Sequence, residues 1–379
     1  MRLLVLTTSY PRRDDDWAGG FVRGLSRWLV AAGHEVTVLA AGDGARREAR
    51  EERGLRVVRL PGRGLFYGAG APEALASPEA WARVPPFVLR MAAEAFTLAQ
   101  GADAIVSHWL LPSALVGAAL ARGRPHLAVA HSGDVALCER LPLGAGAGVA
   151  LALSATGARL AFVSDNLRAR FLALAGDGAR RVLSHRSIVC PMGIDVGALK
   201  AAASRQPSEA GRLEALFLGR LVPIKGAAVA ARACAARPGV ALHVAGDGPE
   251  ARGLVGATLH GEVGFVRKRE LLNQADALVL PSLALPGGRT EGAPTVLMEA
   301  MAAGLAIVAS RSGGVCEIVR DGETALLVPP GDEAALRAAL TRLRDDVALR
   351  LRLGAAAAAA AARFDWRAVG PRLMAALAA

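Results

Sequence analysis

Short apolar runs alternate with segments of helical periodicity along most of the chain. The first run, RLLVLTT, precedes GGFVRGLSRWLVAAGH, where Phe21, Leu25 and Trp28 recur on one side of a helix. Gly33 is a typical residue at a helix C-terminus, and EVTVLAA is the next apolar run. Continuous apolar runs are typical of strands that are buried on both faces of a parallel sheet. The opening of the chain therefore predicts a strand, a crossover helix and a second strand.

The same alternation recurs in both halves of the chain. Strands are predicted at DAIVSHW, HLAVAHSGD and RLAFVSD, and then at EALFLGR, ALHVAGDG, ATLHGEV, ALVLPS, AIVAS and ALLVPP. Between the two sets lies CPMGIDVGALKAAASRQPSEAGR, whose proline, glycine, serine and charge indicate a linker. The run GAAAAAAAAR near the end predicts a surface helix. The predicted fold class is α/β, with two Rossmann-like, doubly wound parallel-sheet domains that face each other across a cleft.

This pattern divides the chain into four segments. We predict an N-terminal domain over residues 1–190, a linker over 191–212, a C-terminal domain over 213–360 and a final segment over 361–379. A length of 379 residues is sufficient for two ordinary domains. Because ligands of open α/β sheets bind outside the carboxyl ends of the strands, we expect the functional residues there.

Composition adds a preference for anionic partners. Hydrophobic residues make up 53% of the chain and charged residues 21%, which is typical of a folded globular protein. The formal net charge of +11 favours nucleotides, phospholipid surfaces or nucleic acid without choosing among them. The four cysteines have no metal-type spacing, so we interpret them as core residues of a protein in a reducing cytoplasm. No signal peptide opens the sequence and no apolar stretch suits a spanning helix, so we expect a soluble protein.

Basic residues follow the first predicted strand of the second half. EALFLGR ends at Gly219 and Arg220, and Lys225 and Gly226 come shortly afterwards. A guanidinium can bind two phosphate oxygens at once, and an ammonium supplies a compact charge beside them. The alternative interpretation is that both basic residues are simply solvated. Their position at a strand end gives the two interpretations equal weight.

A second candidate site surrounds the predicted helix in RTEGAPTVLMEAMAAG. Pro294 suits the first turn of this helix, and the amides near Ala293, Thr295 and Val296 would offer partial positive charge to an anion. Glu291 precedes the helix and could serve only as its cap. Glu299 lies among apolar neighbours, where a carboxylate needs hydrogen-bond donors such as sugar hydroxyls.

Taken together, these motifs resemble a known family. Its features are matched by FLGRLVPIKG, by two glutamates with seven residues between them followed by AMAAG, and by the opening SYPRRDDDWAGGFVRGLSRWLVAAGHEVTVLA. Further matches are VCPMGID, LHVAGDGPE, ADALVLPS, SRSGGVCEIV and RFDWRAVGPRL. The chain resembles the retaining nucleotide-sugar glycosyltransferases of family 4, also called glycosyl transferases group 1, over almost its whole length. The resemblance implies the GT-B fold, with a final helix that returns to the first domain.

The resemblance also implies roles for particular residues. Arg220 and Lys225 would neutralise the donor diphosphate, Glu299 would bind the ribose hydroxyls and Glu291 the transferred sugar. His131, at the end of the strand HLAVA, matches the histidine that contacts the donor sugar. The predicted catalytic residues are thus His131, Glu291, Arg220 and Lys225, and the remaining predicted donor-binding residues are Gly19, Gly20, Gly292, Ala293, Thr295, Val296 and Glu299. Asp134 is predicted to cap a helix, and His108 has a weaker claim to the acceptor side.

The chemistry implied by the resemblance needs no metal or other cofactor. The acceptor would attack from the face that the diphosphate leaves, and the basic residues would stabilise the charge that develops on the diphosphate. Asp14, Asp15 and Asp16 contain an Asp-x-Asp pattern that elsewhere holds a divalent metal, but their place in an early loop favours a solvated loop. Many relatives carry an aromatic residue where this chain has Ala293, so the choice of donor is more open.

The expected partners are a nucleotide diphosphate sugar, with UDP favoured, and a glycan or lipid-linked acceptor in cell-envelope or exopolysaccharide synthesis. We expect a cytoplasmic protein, peripherally associated with anionic membrane through its basic charge. A nucleotide-sugar-binding module without transfer and a GT-B nucleotide-sugar epimerase remain alternatives. A nicotinamide dehydrogenase is disfavoured because no G-x-G-x-x-G follows the first strand. Nucleic acid is not an expected partner, because no recognisable module accompanies the charge.

Overall fold

The computed structural model describes residues 1–16, 18–62, 65, 78–200, 206–235, 238–285 and 289–379. These residues form two compact units. The first unit comprises Met1–Arg12, Ala18–Gly193 and Trp366–Ala379, and the second comprises Arg13–Trp17 and Ile194–Asp365. Part of the segment predicted as a linker, 201–205, lies outside the described residues. A short helix, Val196–Leu199, precedes that part.

The first unit is built on an eight-stranded sheet. Its strands are β1 Arg2–Thr7, β2 Glu35–Gly42, β3 Glu48–Glu52, β4 Leu55–Pro61, β5 Ala104–His108, β6 His126–Ala130, β7 Arg159–Phe162 and β8 Ser187–Val189. Their order in the sheet is β3-β4-β2-β1-β5-β6-β7-β8. All neighbours are parallel except β3 and β4, which pair antiparallel. Strand β3 lies at an edge of the sheet and carries four charged residues. It therefore lacks the apolar run from which the buried strands were predicted.

Eight helices of the described first unit cover this sheet or extend from it. They are α1 Gly20–Ala31, α2 Pro78–Ala99, α3 Leu115–Ala121, α4 Ser132–Arg140, α5 Ala145–Ala155, α6 Asp165–Leu174, α7 Asp177–His185 and the last helix of the chain, Trp366–Ala378. That last helix packs against α1 through close contacts between glycine and indole. A Cβ atom at Gly24 would lie 2.6 Å from Trp366 Nε1, and one at Gly370 would lie 2.4 Å from Trp28 Cε2.

The second unit contains a six-stranded, fully parallel sheet. Its strands are β9 Leu213–Leu218, β10 Val240–Ala245, β11 Ala257–Gly261, β12 Ala277–Leu280, β13 Ala306–Ser310 and β14 Leu326–Val328, in the order β11-β10-β9-β12-β13-β14. Its helices are α8 Val196–Leu199, α9 Ala227–Ala235, α10 Phe265–Gln274, α11 Thr295–Ala302, α12 Val315–Ile318, α13 Glu333–Asp345 and α14 Val347–Ala361, so that the last helix of the chain is α15. Each strand that the second half of the sequence predicts is present. The doubly wound α/β fold class is therefore confirmed.

Both sheets have a point at which the direction of winding reverses. Strand β1 lies between β2 and β5, and β9 lies between β10 and β12. The loops that leave two such neighbouring strands diverge to opposite faces of the sheet, which opens a crevice at their carboxyl ends. The ends of β1 and β5, and the ends of β9 and β12, are therefore the places where each sheet can bind a ligand.

The alanine-rich helix α14 is not the surface helix that composition predicted. Gly354, Ala357 and Ala361 are buried, and the two alanines belong to the core around helix α11. A Cβ atom at Gly354 would lie 2.3 Å from the Gly304 carbonyl oxygen, so only glycine permits this approach. The small residues let α14 pack closely beside α11, the helix that carries Glu299.

The prediction that the cysteines are core residues holds for three of the four. Cys138, Cys190 and Cys234 are buried, whereas Cys316 is exposed, and all four thiols are free. Within the described residues no single helix is long and apolar enough to cross a membrane. The bent pair Ser132–Arg140 and Pro142–Ala155 meets that test together by length and composition alone.

Candidate active site

Close backbone packing shapes the loops that follow β9 and β10 in the second unit. Gly219, Gly246 and Gly248 have φ values of 151°, 144° and 150°, which side chains other than hydrogen rarely allow. A Cβ atom at Gly246 would lie 1.8 Å from the Gly219 carbonyl oxygen. Arg220 follows directly and is half-buried. The glycines therefore fix the position from which Arg220 projects at the carboxyl end of β9.

Lys225 is held at the same end of the sheet by a turn that packs against β12. The turn Pro223–Lys225 ends at Gly226, which has a φ of 70°. A Cβ atom at Gly226 would lie 2.0 Å from the Pro281 carbonyl oxygen, just beyond β12. The side chain of Lys225 is 15% exposed, and its Nζ lies 2.7 Å from Oε1 of Glu291, which is 8% exposed. The switch point between β9 and β12 thus carries a nearly buried ion pair.

Backbone contacts hold Glu291 in this place. Its carbonyl oxygen accepts a hydrogen bond of 3.1 Å from the Gly314 N–H, and a Cβ atom at Gly313 would lie 2.2 Å from the same oxygen. Ser282, in the segment after β12, donates a hydrogen bond of 3.4 Å to Oε1 of Glu291. Glu291 is therefore a fixed side chain rather than a helix cap, since the cap position of α11 belongs to Pro294.

The N-terminus of helix α11 has no side-chain cap. Pro294 occupies the cap position and makes no side-chain hydrogen bond. Among the residues that the structure describes, no carbonyl or side chain accepts a hydrogen bond from the N–H groups of Thr295 and Val296. Gly292 and Ala293 lead into this turn. Unsatisfied amides at the start of an eight-residue helix favour an anion.

The carboxylate of Glu299 also has a lysine partner. Lys268 Nζ, from helix α10, lies 2.6 Å from Glu299 Oε1, and the two side chains are 23% and 14% exposed. The sequence correctly indicated that Glu299 needs a hydrogen-bond donor, but it did not indicate Lys268. The signal for Lys268 is weak, because FVRKRE presents three basic residues on one helix and only the fold shows which of them turns towards α11.

In the first unit, Gly19 and Gly20 lie at the N-terminus of α1, and packing requires a glycine at only one of these positions. Gly19 has a φ of 71°, and a Cβ atom there would lie 2.4 Å from the Ser9 carbonyl oxygen, in the segment after β1. Gly20 begins α1, and a Cβ atom there would meet nothing within 4 Å. Gly19 is thus required by packing, whereas Gly20 leaves open space at the start of the helix.

His131 lies at the carboxyl end of β6 and precedes α4. Its N–H donates a hydrogen bond of 2.9 Å to Asp134 Oδ1, and the Leu110 N–H donates one of 2.7 Å to Oδ2. Burial raises the pKa of Asp134 to about 7, while the backbone N–H groups act in the opposite direction. Asp134 therefore anchors two loops by their backbones, in keeping with the structural role predicted for it.

His131 and His108 form a buried pair. His108 Nδ1 lies 3.2 Å from His131 Nε2, and the rings stack with centroids 5.5 Å apart. Burial lowers the pKa of His108 to about 3, and burial together with His108 lowers that of His131 well below its usual value. Both rings are therefore neutral at pH 7, and one of them donates to the other. Phe21 and Trp109 pack against His131, with centroids 4.8 Å and 5.1 Å from its ring.

The acidic run near the N-terminus differs in part from its prediction. Asp14 and Asp15 are exposed, as a solvated loop requires, but Asp16 is buried. A Cβ atom at Gly264 would lie 2.6 Å from Asp15 Cβ, so this segment packs at the start of α10. Within the described residues no group of three or more His, Cys, Asp or Glu side chains has the arrangement of a metal site.

The predicted site residues thus fall into two groups. Gly19, Gly20 and His131 belong to the first unit, and all the others belong to the second. In the second unit, the Lys225–Glu291 pair lies at the switch point and precedes the uncapped N-terminus of α11, and the Lys268–Glu299 pair joins α11 to α10. Two doubly wound domains, with a site of this composition in the C-terminal one, define the GT-B class of glycosyltransferases.

Comparison with protein families agrees. Residues 18–186 match the model described as Glycosyl transferase 4-like domain, and residues 212–346 match the model described as Glycosyl transferases group 1. The two matches together span most of the chain. The chain belongs to this family of glycosyltransferases, and it is a transferase.

Individual proteins show the same relationship. A glycogen synthase of Mycobacterium tuberculosis is 29% identical over 398 aligned positions, which cover 97% of this chain and 92% of that protein. A phosphatidyl-myo-inositol mannosyltransferase of Mycobacterium leprae is 38% identical over 52% of this chain and 56% of its own length. The structure of HepE from Anabaena, in complex with UDP-glucose, covers 100% of this chain and 99% of its own, with 19% identity and a TM-score of 0.72.

Proposed function

We propose that this glycosyltransferase moves a sugar from a nucleotide diphosphate sugar to an acceptor hydroxyl, with retention of the anomeric configuration. The observation that supports the proposal most is the nearly buried Lys225–Glu291 pair beside the uncapped N-terminus of α11. A cation and a helix N-terminus favour an anion such as a diphosphate. Carboxylates with free acceptor capacity suit the hydroxyls of the two sugars that flank it.

Each predicted site residue of the second unit has a role in this proposal. Arg220 and Lys225 neutralise the diphosphate, and the N–H groups of Thr295 and Val296 donate to its oxygens. Gly292 and Ala293 are small enough for the phosphate to approach the backbone. Glu291 binds hydroxyls of the transferred sugar, and Glu299 binds those of the ribose.

The two ion pairs are compatible with these roles. An ammonium has three N–H donors, so Lys225 can keep its contact with Glu291 while it donates to a phosphate oxygen. A carboxylate has two oxygens, so Glu299 can accept from Lys268 at Oε1 and from ribose at Oε2. Each pair therefore positions a binding group before the donor arrives, which reduces the reorganisation needed on binding.

In the proposed reaction the bond between the anomeric carbon and the diphosphate oxygen breaks on the same face on which the acceptor oxygen attacks. The acceptor proton passes to the departing diphosphate. Arg220, Lys225 and the start of α11 stabilise the negative charge that grows on the diphosphate, without a metal ion. Within the first unit, His131 is the proposed contact of the sugar, and Gly20, where a Cβ atom would meet nothing within 4 Å, is the proposed point of close backbone approach.

The similar proteins support the proposed donor and acceptor classes. UDP is the proposed nucleotide, because HepE was solved with UDP-glucose. The acceptor is a glycan or a lipid-linked hydroxyl, since the similar proteins include a glycogen synthase and a phosphatidyl-myo-inositol mannosyltransferase. The net charge of +11 supports peripheral association with the anionic inner face of the cell membrane, in envelope or exopolysaccharide synthesis. Failure to cosediment with anionic liposomes at low salt would contradict this membrane association.

The test is the thermal stability of the protein with UDP, GDP or ADP in the presence of a chelator. We expect selective stabilisation by UDP, which Glu299→Ala abolishes. Glu270→Ala is the matched control, because Glu270 is a half-exposed carboxylate paired with Arg267 on α10. The absence of a shift with every nucleotide would contradict the proposed donor site.

Turnover separates the proposed function from its alternatives. A binding module would bind the nucleotide sugar without turnover, and an epimerase would convert the donor with no acceptor present. The configuration of the transferred sugar, followed by NMR, tests retention. A covalent adduct between the sugar and Glu291 would contradict same-face attack.

A further inference from the structure

Trp109 has a backbone conformation that is rare for a large side chain. Its φ of 68° and ψ of 133° lie outside the left-handed helical region that Arg122 and Leu143 adopt with positive φ. A residue without a Cβ atom would adopt these angles far more readily. Such conformations persist only where the surrounding structure holds them in place, and they concentrate at functional sites.

Hydrogen bonds on both sides hold Trp109 in this conformation. Its N–H donates to the Val129 carbonyl oxygen at 3.0 Å, and its carbonyl oxygen accepts from the Ala114 N–H at 3.1 Å. The next residue, Leu110, is fixed by the buried carboxylate of Asp134 at 2.7 Å. Three contacts from different segments therefore maintain a conformation that the tryptophan side chain disfavours.

The result is an aromatic surface at the switch point of the first sheet. Trp109 follows β5, Phe21 lies in the first turn of α1 after β1, and the two ring centroids are 5.8 Å apart. Both residues are half-buried, so neither is fully enclosed in the core. The Trp109 ring is also 5.1 Å from the ring of His131. A half-buried tryptophan in a disfavoured backbone conformation beside the predicted active-site histidine is not explained by core packing.

We propose that Trp109, with Phe21 beside it, is the platform on which a pyranose ring of the acceptor stacks. A pyranose has one face of C–H groups, which pack against an aromatic ring, and a rim of hydroxyls that need polar partners. An acceptor seated there presents its hydroxyls towards His131. This inference rests on the proposed function, and it specifies that the acceptor carries a sugar ring rather than a simple alcohol.

The first experiment measures sugar binding without a donor. Saturation transfer from the full-length protein to maltose and to octyl glucoside is followed by NMR, with sorbitol as a hydroxylated control that has no ring. We expect saturation of the ring C–H protons of the pyranosides and none of sorbitol. A stronger response from octyl glucoside than from maltose identifies a lipid-linked source, and the reverse identifies a free glycan.

The variants test whether Trp109 is responsible. Trp109→Phe keeps an aromatic face and should retain saturation, whereas Trp109→Gly should weaken pyranoside binding at least tenfold without losing the folded state. Glycine accepts the backbone angles at this position, so a melting temperature close to that of the wild type is expected. Leu143→Gly is the matched control, because Leu143 also has a positive φ, of 55°, and its side chain is fully exposed.

Equal saturation in the wild type and in Trp109→Gly would overturn the inference, as would the absence of pyranoside binding by the wild type. These outcomes are independent of the nucleotide test. Pyranoside binding through Trp109 without any nucleotide stabilisation would overturn the proposed donor site and leave the platform standing. Nucleotide stabilisation without Trp109-dependent pyranoside binding would overturn the platform and leave the proposed donor site standing.

Discussion

Lys225 Nζ and Glu291 Oε1 lie 2.7 Å apart, with less than a sixth of either side chain exposed. They come from segments after β9 and before α11, so the pair joins two loops at one switch point. A pair buried to this degree is costly to break, because either partner left alone is a desolvated charge. The pair therefore links the stability of the second unit to its proposed binding of diphosphate.

Separate and joint replacement of this pair should have different effects. We expect Lys225→Met to lower the free energy of unfolding by about 3 kcal/mol, because Glu291 would be left as an unpaired charge. Lys225→Met combined with Glu291→Gln should recover much of that stability while transfer remains lost. Denaturant unfolding of the two single variants and the double variant measures the coupling between them. Additive effects on the free energy of unfolding would contradict an energetically coupled pair.

Lys268 offers a prediction about nucleotide affinity. In Lys268→Met the carboxylate of Glu299 loses its partner at 2.6 Å and becomes an uncompensated negative charge near the proposed diphosphate site. We expect the dissociation constant for the nucleotide to rise about tenfold, which corresponds to 1.4 kcal/mol. Isothermal titration measures it. Arg267→Met is the control, because it removes the same charge from the preceding, half-exposed residue of α10. An equal loss of affinity in both variants would indicate a general charge effect instead.

Gly226 separates the effect of a clash from that of backbone strain. In Gly226→Ala the new Cβ would lie 2.0 Å from the Pro281 carbonyl oxygen, at a φ of 70°. We expect the turn that carries Lys225 to shift, with a loss of transfer and a destabilisation larger than the roughly 1 kcal/mol of positive φ alone. Gly33→Ala is the control, because Gly33 has a φ of 85° and its Cβ would meet nothing within 4 Å. Equal destabilisation of the two variants, measured by thermal unfolding, would show that the contact with Pro281 relaxes without cost.

The sequence predicted the doubly wound fold because the buried parallel strands are continuous apolar runs. It missed β3 and β8, which lie at the sheet edges and carry no such run, and β4, which pairs with β3. It predicted a surface position for α14, because helix propensity indicates a helix without indicating which face is buried. The close approach of Gly354 to Gly304 depends on the packing of two distant segments.

The candidate site was predictable to a similar extent. Strand ends and the Glu291–Glu299 spacing indicated where the candidate site lies, because local pattern determines which residues follow each strand. Lys268 and Trp109 were missed for different reasons. The partner of Glu299 depends on how α10 packs beside α11, and the significance of Trp109 lies in a backbone angle that no residue pattern specifies.

The buried histidines of the first unit predict how stability depends on pH. Burial lowers the pKa of His108 to about 3 and that of His126 to about 4, and it lowers that of His131 as well. Below pH 6.5 the unfolded chain takes up protons at these residues while the folded protein does not, so stability falls on acidification. Each histidine contributes about 1.4 kcal/mol per pH unit at most.

Asp134 opposes this trend. Its pKa is raised to about 7 in the folded protein, so between the unfolded value of 3.8 and pH 7 the folded state holds the extra proton and gains stability on acidification. Three depressed histidines outweigh one raised carboxyl group, and we expect a lower free energy of unfolding at pH 5 than at pH 7. Denaturant unfolding at the two pH values measures this difference. His126→Gln should reduce it, because glutamine does not titrate and can still bond to Ser107, which lies 2.6 Å from His126 Nε2. A protein that is equally stable at both pH values would show that the buried histidines gain access to protons without unfolding.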